Sequence, residues 1–138
     1  MNIGSDQSLI MGRTYNKYKK VFVFDLDGII SCNGFTNIDT SDYNFQDWHH
    51  IYQTVEANEK IIQIIRKLFN NGYIIRIWTA RLTQYTEVTL EWLKNNAVPY
   101  HDIIFGKPYA DYYIDDKCIM NKEKQIKELE WITEQLCY

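Results

Sequence analysis

Between residues 19 and 30 the chain reads KKVFVFDLDGII: four consecutive apolar residues, Val21, Phe22, Val23 and Phe24, run into two carboxylates, Asp25 and Asp27, and then Gly28. An apolar run without alternation is the pattern of a strand buried on both faces, as in the middle of a parallel sheet. Parallel strands need long crossover connections, so this one feature narrows the fold more than any other. Two acids at the end of such a strand are costly to bury without partners. A polar turn with a glycine at positive φ accounts for them on its own, and their meaning depends on the rest of the chain.

Residues 1–18 are polar and without periodicity, which predicts a loosely ordered lead-in. Residues 31–55 mix turn-forming Asn, Gly, Asp and Ser with aromatics, the pattern of a long loop or small irregular insertion. NEKIIQIIRKLFNNG then spaces Ile61, Ile64, Ile65, Leu68 and Phe69 along one helix face, stopped by Asn71 and Gly72. YIIRIWTAR is a β-branched run ending at Thr79. A second helix is predicted over 84–96, with Tyr85, Val88, Trp92 and Leu93 on one face. HDIIFGKP gives a short strand leading to Lys107, and ADYYIDDK a further strand ending in Asp115 and Asp116. Asn121 is placed to cap a final helix whose Ile126, Leu129, Thr133 and Leu136 would face the sheet. Strands alternating with helices predict an α/β fold, a Rossmann-like three-layer sandwich with a central parallel sheet, as a single domain over 19–138.

In open α/β sheets ligands bind beyond the carboxyl ends of the strands. Each predicted strand ends there in a reactive or phosphate-friendly group: Asp25 and Asp27, then Thr79 with Arg81 behind it, then Lys107, then Asp115 and Asp116. The chemistry these suit is phosphoryl transfer. Two carboxylate pairs make an all-oxygen nest for Mg²⁺, and one carboxylate can attack phosphorus. A hydroxyl and an ammonium can hold the equatorial oxygens as charge spreads. Backbone N–H groups in the turn at Gly28 add an anion nest.

Charge and cysteine usage bound the setting. A net charge of −3 gives no electrostatic case for a nucleic-acid binder, so nucleic acid is not an expected partner. The cluster Arg13, Lys17, Lys19 and Lys20 is expected to be a solvated entry segment. Cys32, Cys118 and Cys137 are an odd number without metal-type spacing, which points to a reducing compartment. No apolar stretch reaches membrane-spanning length and the amino terminus lacks a signal-peptide core. The expectation is a cytoplasmic protein with no membrane partner.

Taken in order, DLDG, the Thr of WTAR, the Lys of GKP and IDD resemble the four motifs of the haloacid dehalogenase-like superfamily of aspartate-nucleophile phosphatases, over residues 21–117. The fuller phrases IWTAR and GKPYADYYIDDK are similar to its small capsule-biosynthesis-type phosphatases. The resemblance implies Asp25 as nucleophile and metal ligand, and Asp27 as general acid/base whose carbonyl meets the metal. It also implies Thr79 and Lys107, with backbone from Leu26 and Gly28, on the phosphoryl group, and Asp115 and Asp116 on Mg²⁺. Arg81 would orient the loop or meet the substrate. Ile29 stands where many members carry Thr, a hydroxyl the two-step chemistry does not need. The short spacings leave no room for a large cap, which implies an open site. Such a site takes its specificity from residues 31–55, from a partner subunit in a homo-oligomer, or from the bulk of the substrate.

The function implied is a Mg²⁺-dependent phosphomonoester hydrolase acting on a small phosphorylated substrate, a sugar phosphate of polysaccharide or nucleotide-sugar metabolism. The alternative within enzymes is a polynucleotide-end or nucleotide phosphatase. From another class come a phospho-accepting signalling module, which places its acidic groups ahead of Thr and Lys rather than last, and a catalytically silent binding module. His49 and His50 are adjacent and cannot share a helix face, so a surface or substrate-loop role is expected of them. Tyr43, Phe45 and Trp48 form either a wall beside the site or the loop's own small core.

Overall fold

The computed structural model describes residues 19–35 and 39–137. The lead-in expected over 1–18 lies outside them, and with it Arg13 and Lys17.

Isoleucine-rich Ile74–Trp78 forms the middle strand, β2, of a parallel three-stranded sheet, with β1 (Val21–Asp25) on one side and β3 (Asp102–Ile104) on the other. Its Ile74, Ile75 and Ile77 are buried, as β-branched residues in a covered strand should be. Arg76 is buried beside them because Asp102 is its register partner on β3 and takes Nε at 2.9 and 3.0 Å. The position expected of β1 is therefore corrected. It pairs with β2 alone among the described residues, and Val23 is 53% exposed. A strand's apolar run does not fix its place in a sheet; the number of ladders it joins does.

Between β1 and β2 lie two helices, α1 (Phe45–Thr54) and α2 (Glu59–Asn70). The first falls within the expected irregular stretch. A reciprocal cap starts it: the Asn44 side chain accepts from Asp47 N and the Asp47 carboxylate accepts from Asn44 N, both at 2.9 Å. The second is capped by Asn58 and ends ahead of Gly72, whose φ of +86° suits the residue past a helix end. Ile65 is fully buried and Ile61, Leu68 and Phe69 pack against the core as expected, but Ile64 is 47% exposed and Ile62 is fully buried in its stead. A short turn (Thr83–Tyr85) leads into α3 (Thr86–Asn95), which buries Val88, Thr89, Trp92 and Leu93.

Leu26, Ile30, Ile62, Ile65, Ile75, Ile77, Trp92, Leu93 and Val98 form the core under these elements. Each side chain removed from water there contributes about 1.5–3 kcal/mol before the cost of ordering it. The excursion carrying α1 is closed where it leaves and rejoins this core. Cys32 N donates to Glu56 O and Asn58 N to Ile30 O, both at 2.8 Å, around a bridge between Ser31 and Ala57.

Residues from Pro108 to Tyr138 form a second compact unit. Asn121 caps its helix α4 (Lys122–Leu136) as expected, the side chain accepting from Lys124 N at 2.9 Å. None of that helix's described residues is buried. The strand expected at ADYYIDDK does not form either. Gln125 takes up the backbone of Asp115 from both sides, accepting from its N at 3.1 Å and donating to its O at 2.8 Å. Groups spent on a side chain are not available to a ladder. The described residues thus form an open, uncapped parallel sheet of three strands flanked by helices, a Rossmann-like core rather than a full haloacid dehalogenase-like sheet. No described helix is long and apolar enough to cross a membrane.

Candidate active site

Parallel pairing sets the ends of β1 and β2 side by side, with Asp25 opposite Trp78. The chain leaving β3 is then tied back to the chain leaving β2. Thr79 N donates to Ile104 O at 2.9 Å, Gly106 N to Arg81 O at 3.0 Å, and Lys107 N to Thr79 O at 2.9 Å. These bonds bring Lys107 over the sheet edge, where its Nζ lies 3.8 Å from Asp25 Oδ1 and 5.1 Å from the centre of the Trp78 ring. The same Oδ1 accepts from Leu26 N at 2.9 Å. Burial raises the Asp25 carboxyl above its ordinary 3.8, against the pull of the Lys107 ammonium and the Leu26 N–H. A half-buried carboxylate aimed beyond a strand end, with a cation beside it, is the setting in which an oxygen can act as a nucleophile.

Asp27 follows on a turn that requires glycine. Gly28 sits at a φ of +91°, and a Cβ there would stand 3.2 Å from Gly34 Cα. Ser31 folds back under the turn, its Oγ 3.1 Å from Asp27 Oδ1 and accepting from Gly28 N at 3.3 Å. The N–H groups of Leu26 and Gly28, expected on the phosphoryl group, donate here to Asp25 Oδ1 and Ser31 Oγ.

Arg81 is 2% exposed and does not lie open to a substrate. Its Nε meets Asp27 Oδ2 and its Nη2 meets Asp27 Oδ1, both at 2.8 Å. Nη1 donates to Thr89 Oγ1 at 3.1 Å, and the guanidinium carbon lies 3.9 Å from the centre of the Tyr52 ring. Its backbone N donates to Thr79 Oγ1 at 3.1 Å, so the buried Thr79 hydroxyl serves the same loop. Burial, with Asp27 nearby, pushes the Tyr52 phenol up to about 12. Ser31, Tyr52 and Thr89 join the site without having been expected in it. Ser31, four residues past Asp27 and beyond a glycine turn, carried a local signal; Tyr52 and Thr89 carried none.

Tyr52 and Tyr85 anchor a small cluster with Val88, against which Phe35, Trp48 and Ile51 pack. Phe45 stacks on Tyr85 with centres 5.0 Å apart and planes 12° off parallel. Trp48 thus belongs to the excursion's own core, while Tyr43 is exposed and meets the Trp48 ring at 5.6 Å between centres. His49 packs its ring near Phe45 on α1.

The expectation of Mg²⁺ is overturned. Among the described residues no group of three or more His, Cys, Asp or Glu is placed to hold a metal ion. Asp115 and Asp116 are exposed, and the Asp115 carboxylate accepts from Lys117 N at 2.9 Å, a bond that holds its carboxyl below the usual range.

No protein-family model matches the chain, and no curated protein does. Among solved structures, it is similar to a crystal structure of a protein from Vibrio cholerae at 27% identity and a TM-score of 0.54, over 82% of this chain and 98% of that one. It also matches a chain of a Pnkp1/Rnl/Hen1 complex at 23% identity and a TM-score of 0.49, over 80% of this chain and 34% of that one. The expectation that nucleic acid is no partner is corrected: it rested on a net charge of −3, a sum over the chain that does not describe the field at one sheet edge.

Proposed function

We propose that the chain is a phosphatase-type hydrolase that cleaves phosphate monoesters through an aspartyl-phosphate on Asp25. The observation that carries this is the meeting of Asp25 and Lys107 at one sheet edge, 3.8 Å apart, with Asp27 two residues beyond. In the first step an Asp25 oxygen bonds to phosphorus and the ester P–O bond breaks, the departing oxygen taking a proton from Asp27. In the second step water bonds to phosphorus and gives a proton to Asp27, the Asp25–phosphorus link breaks, and inorganic phosphate leaves. Lys107 lies where its ammonium can offset the negative charge of the transferring group. Thr79 supports that loop through its hydroxyl and carbonyl. The capsule-type likeness favours sugar phosphates, and the polynucleotide-end or nucleotide alternative stands beside it, so the assay spans both.

Phosphate release is measured from sugar phosphates, nucleotides and 3′-phosphorylated oligonucleotides, each with added divalent cations and with chelator. The expected outcome is release by the wild type from at least one of them and none by Asp25→Asn. A folded wild type that releases nothing from any substrate would overturn the reading in favour of a signalling or silent module.

A further inference from the structure

Asp27 sits on a turn, where a lone carboxylate would sample several rotamers. Its two oxygens are instead bound unequally. Oδ1 meets Arg81 Nη2 at 2.8 Å and lies 3.1 Å from Ser31 Oγ, whose one proton is shared between it and Asn33 O at 3.3 Å. Oδ2 meets Arg81 Nε at 2.8 Å and has no other hydrogen bond among the described residues. Arg81 is itself fixed, by Thr89 Oγ1 at 3.1 Å and by the Tyr52 ring at 3.9 Å from its guanidinium carbon.

We infer that Arg81 is the positioning residue of the acid/base Asp27, and that Tyr52 is the contact through which α1 keeps it aimed. The inference rests on the phosphatase reading above and goes beyond it by naming the oxygen that carries the proton. Oδ2, which meets Arg81 Nε alone among the described residues, gives the proton to the departing alkoxide as the Asp25–phosphorus bond forms. Oδ2 takes a proton from water as that bond breaks. The proton count closes over the two steps with water as the sole co-reactant. Arg81 touches neither substrate nor phosphorus in this role.

Leaving groups separate this role from a structural one. Nitrophenolate departs without a proton, whereas an alkoxide needs one. The experiment measures kcat and kcat/KM for p-nitrophenyl phosphate and 2-phenylethyl phosphate with the full chain, Arg81→Met, Arg81→Lys and Tyr52→Leu. Arg81→Met is expected to lose about 100-fold or more in kcat/KM on the alkyl ester, the usual scale of acid–base assistance, and about 10-fold or less on the nitrophenyl ester. On the nitrophenyl ester its kcat falls further and a burst of nitrophenol appears, because breakdown of the phosphoenzyme still needs Asp27. Arg81→Lys restores part of the alkyl-ester rate, and Tyr52→Leu shows the same imbalance at smaller size. Should Arg81→Met not fold, the other two variants carry the same comparison. Equal losses on both esters, with an active wild type, overturn this assignment alone. A folded wild type that releases phosphate neither from these esters nor from any substrate of the panel above overturns it together with the phosphatase reading.

Discussion

Replacing Asp27 by alanine tests the Arg81 clamp through stability, independently of any activity. The Arg81 side chain is 1% exposed and that of Asp27 15%, so the substitution leaves a guanidinium nearly out of water with both carboxylate contacts gone. Removing one partner of a buried pair costs about 3–5 kcal/mol, most of it the desolvation of the charge left behind. The Tyr52 ring and Thr89 hydroxyl still attend the guanidinium, which places the expected loss near the lower end, about 3 kcal/mol. With a urea slope of about 2 kcal/mol per molar, the unfolding midpoint falls by about 1.5 M. Urea titration followed by circular dichroism and by fluorescence of the buried Trp92 measures it. The double variant Asp27→Ala/Arg81→Met removes the orphaned charge and is expected to recover most of the loss. A single variant within about 0.5 kcal/mol of wild type, the range of ordinary surface changes, would refute the buried-pair account. So would a double variant less stable than the single one.

Gly28→Ala forces a side chain into the left-handed region, against Gly34, and should cost about 1–2 kcal/mol. Thermal unfolding reads that loss, and phosphate release should fall with it because the same turn aims Asp27. Burial lowers the His101 pKa below its ordinary 6.5, so the fold favours neutral imidazole. That contribution is complete above pH 6.5 and is lost as pH falls through the lower folded value. Urea midpoints between pH 7 and 5 should decline in the wild type, and the decline should be shallower in His101→Phe. Ile65→Ala empties a fully buried position between α2 and the sheet and should cost about 2–5 kcal/mol by urea titration.

Much of the core was legible because it is local. The β2 run, the α3 face of Val88, Trp92 and Leu93, and the caps at Asn71 and Asn121 each depend on residues a few positions apart. What was misread depends on partners distant in the chain. Nothing in VFVFD states how many neighbours that strand will have. The pattern of ADYYIDDK suits a strand until Gln125 takes its backbone. The site divides the same way. Asp25, Thr79 and Lys107 are visible as strand endings, and the ties at Thr79 O and Arg81 O bring them to one edge. Four aspartates, a pair at each of two predicted strand ends, suggested a metal nest. The buried arginine that claims one of them becomes visible only once Arg81 and Asp27, 54 positions apart, are seen in contact.

The closure of the α1 excursion makes the segment an exchangeable cassette. Its two ends meet at the pair of hydrogen bonds joining Cys32 to Glu56 and Asn58 to Ile30, so the core senses a fixed port rather than the length of what fills it. Each doubling of such a loop costs only about 0.6 kcal/mol in closure entropy. A larger cover could be grafted there at little expense to the fold, provided it returned an aromatic ring to the guanidinium of Arg81.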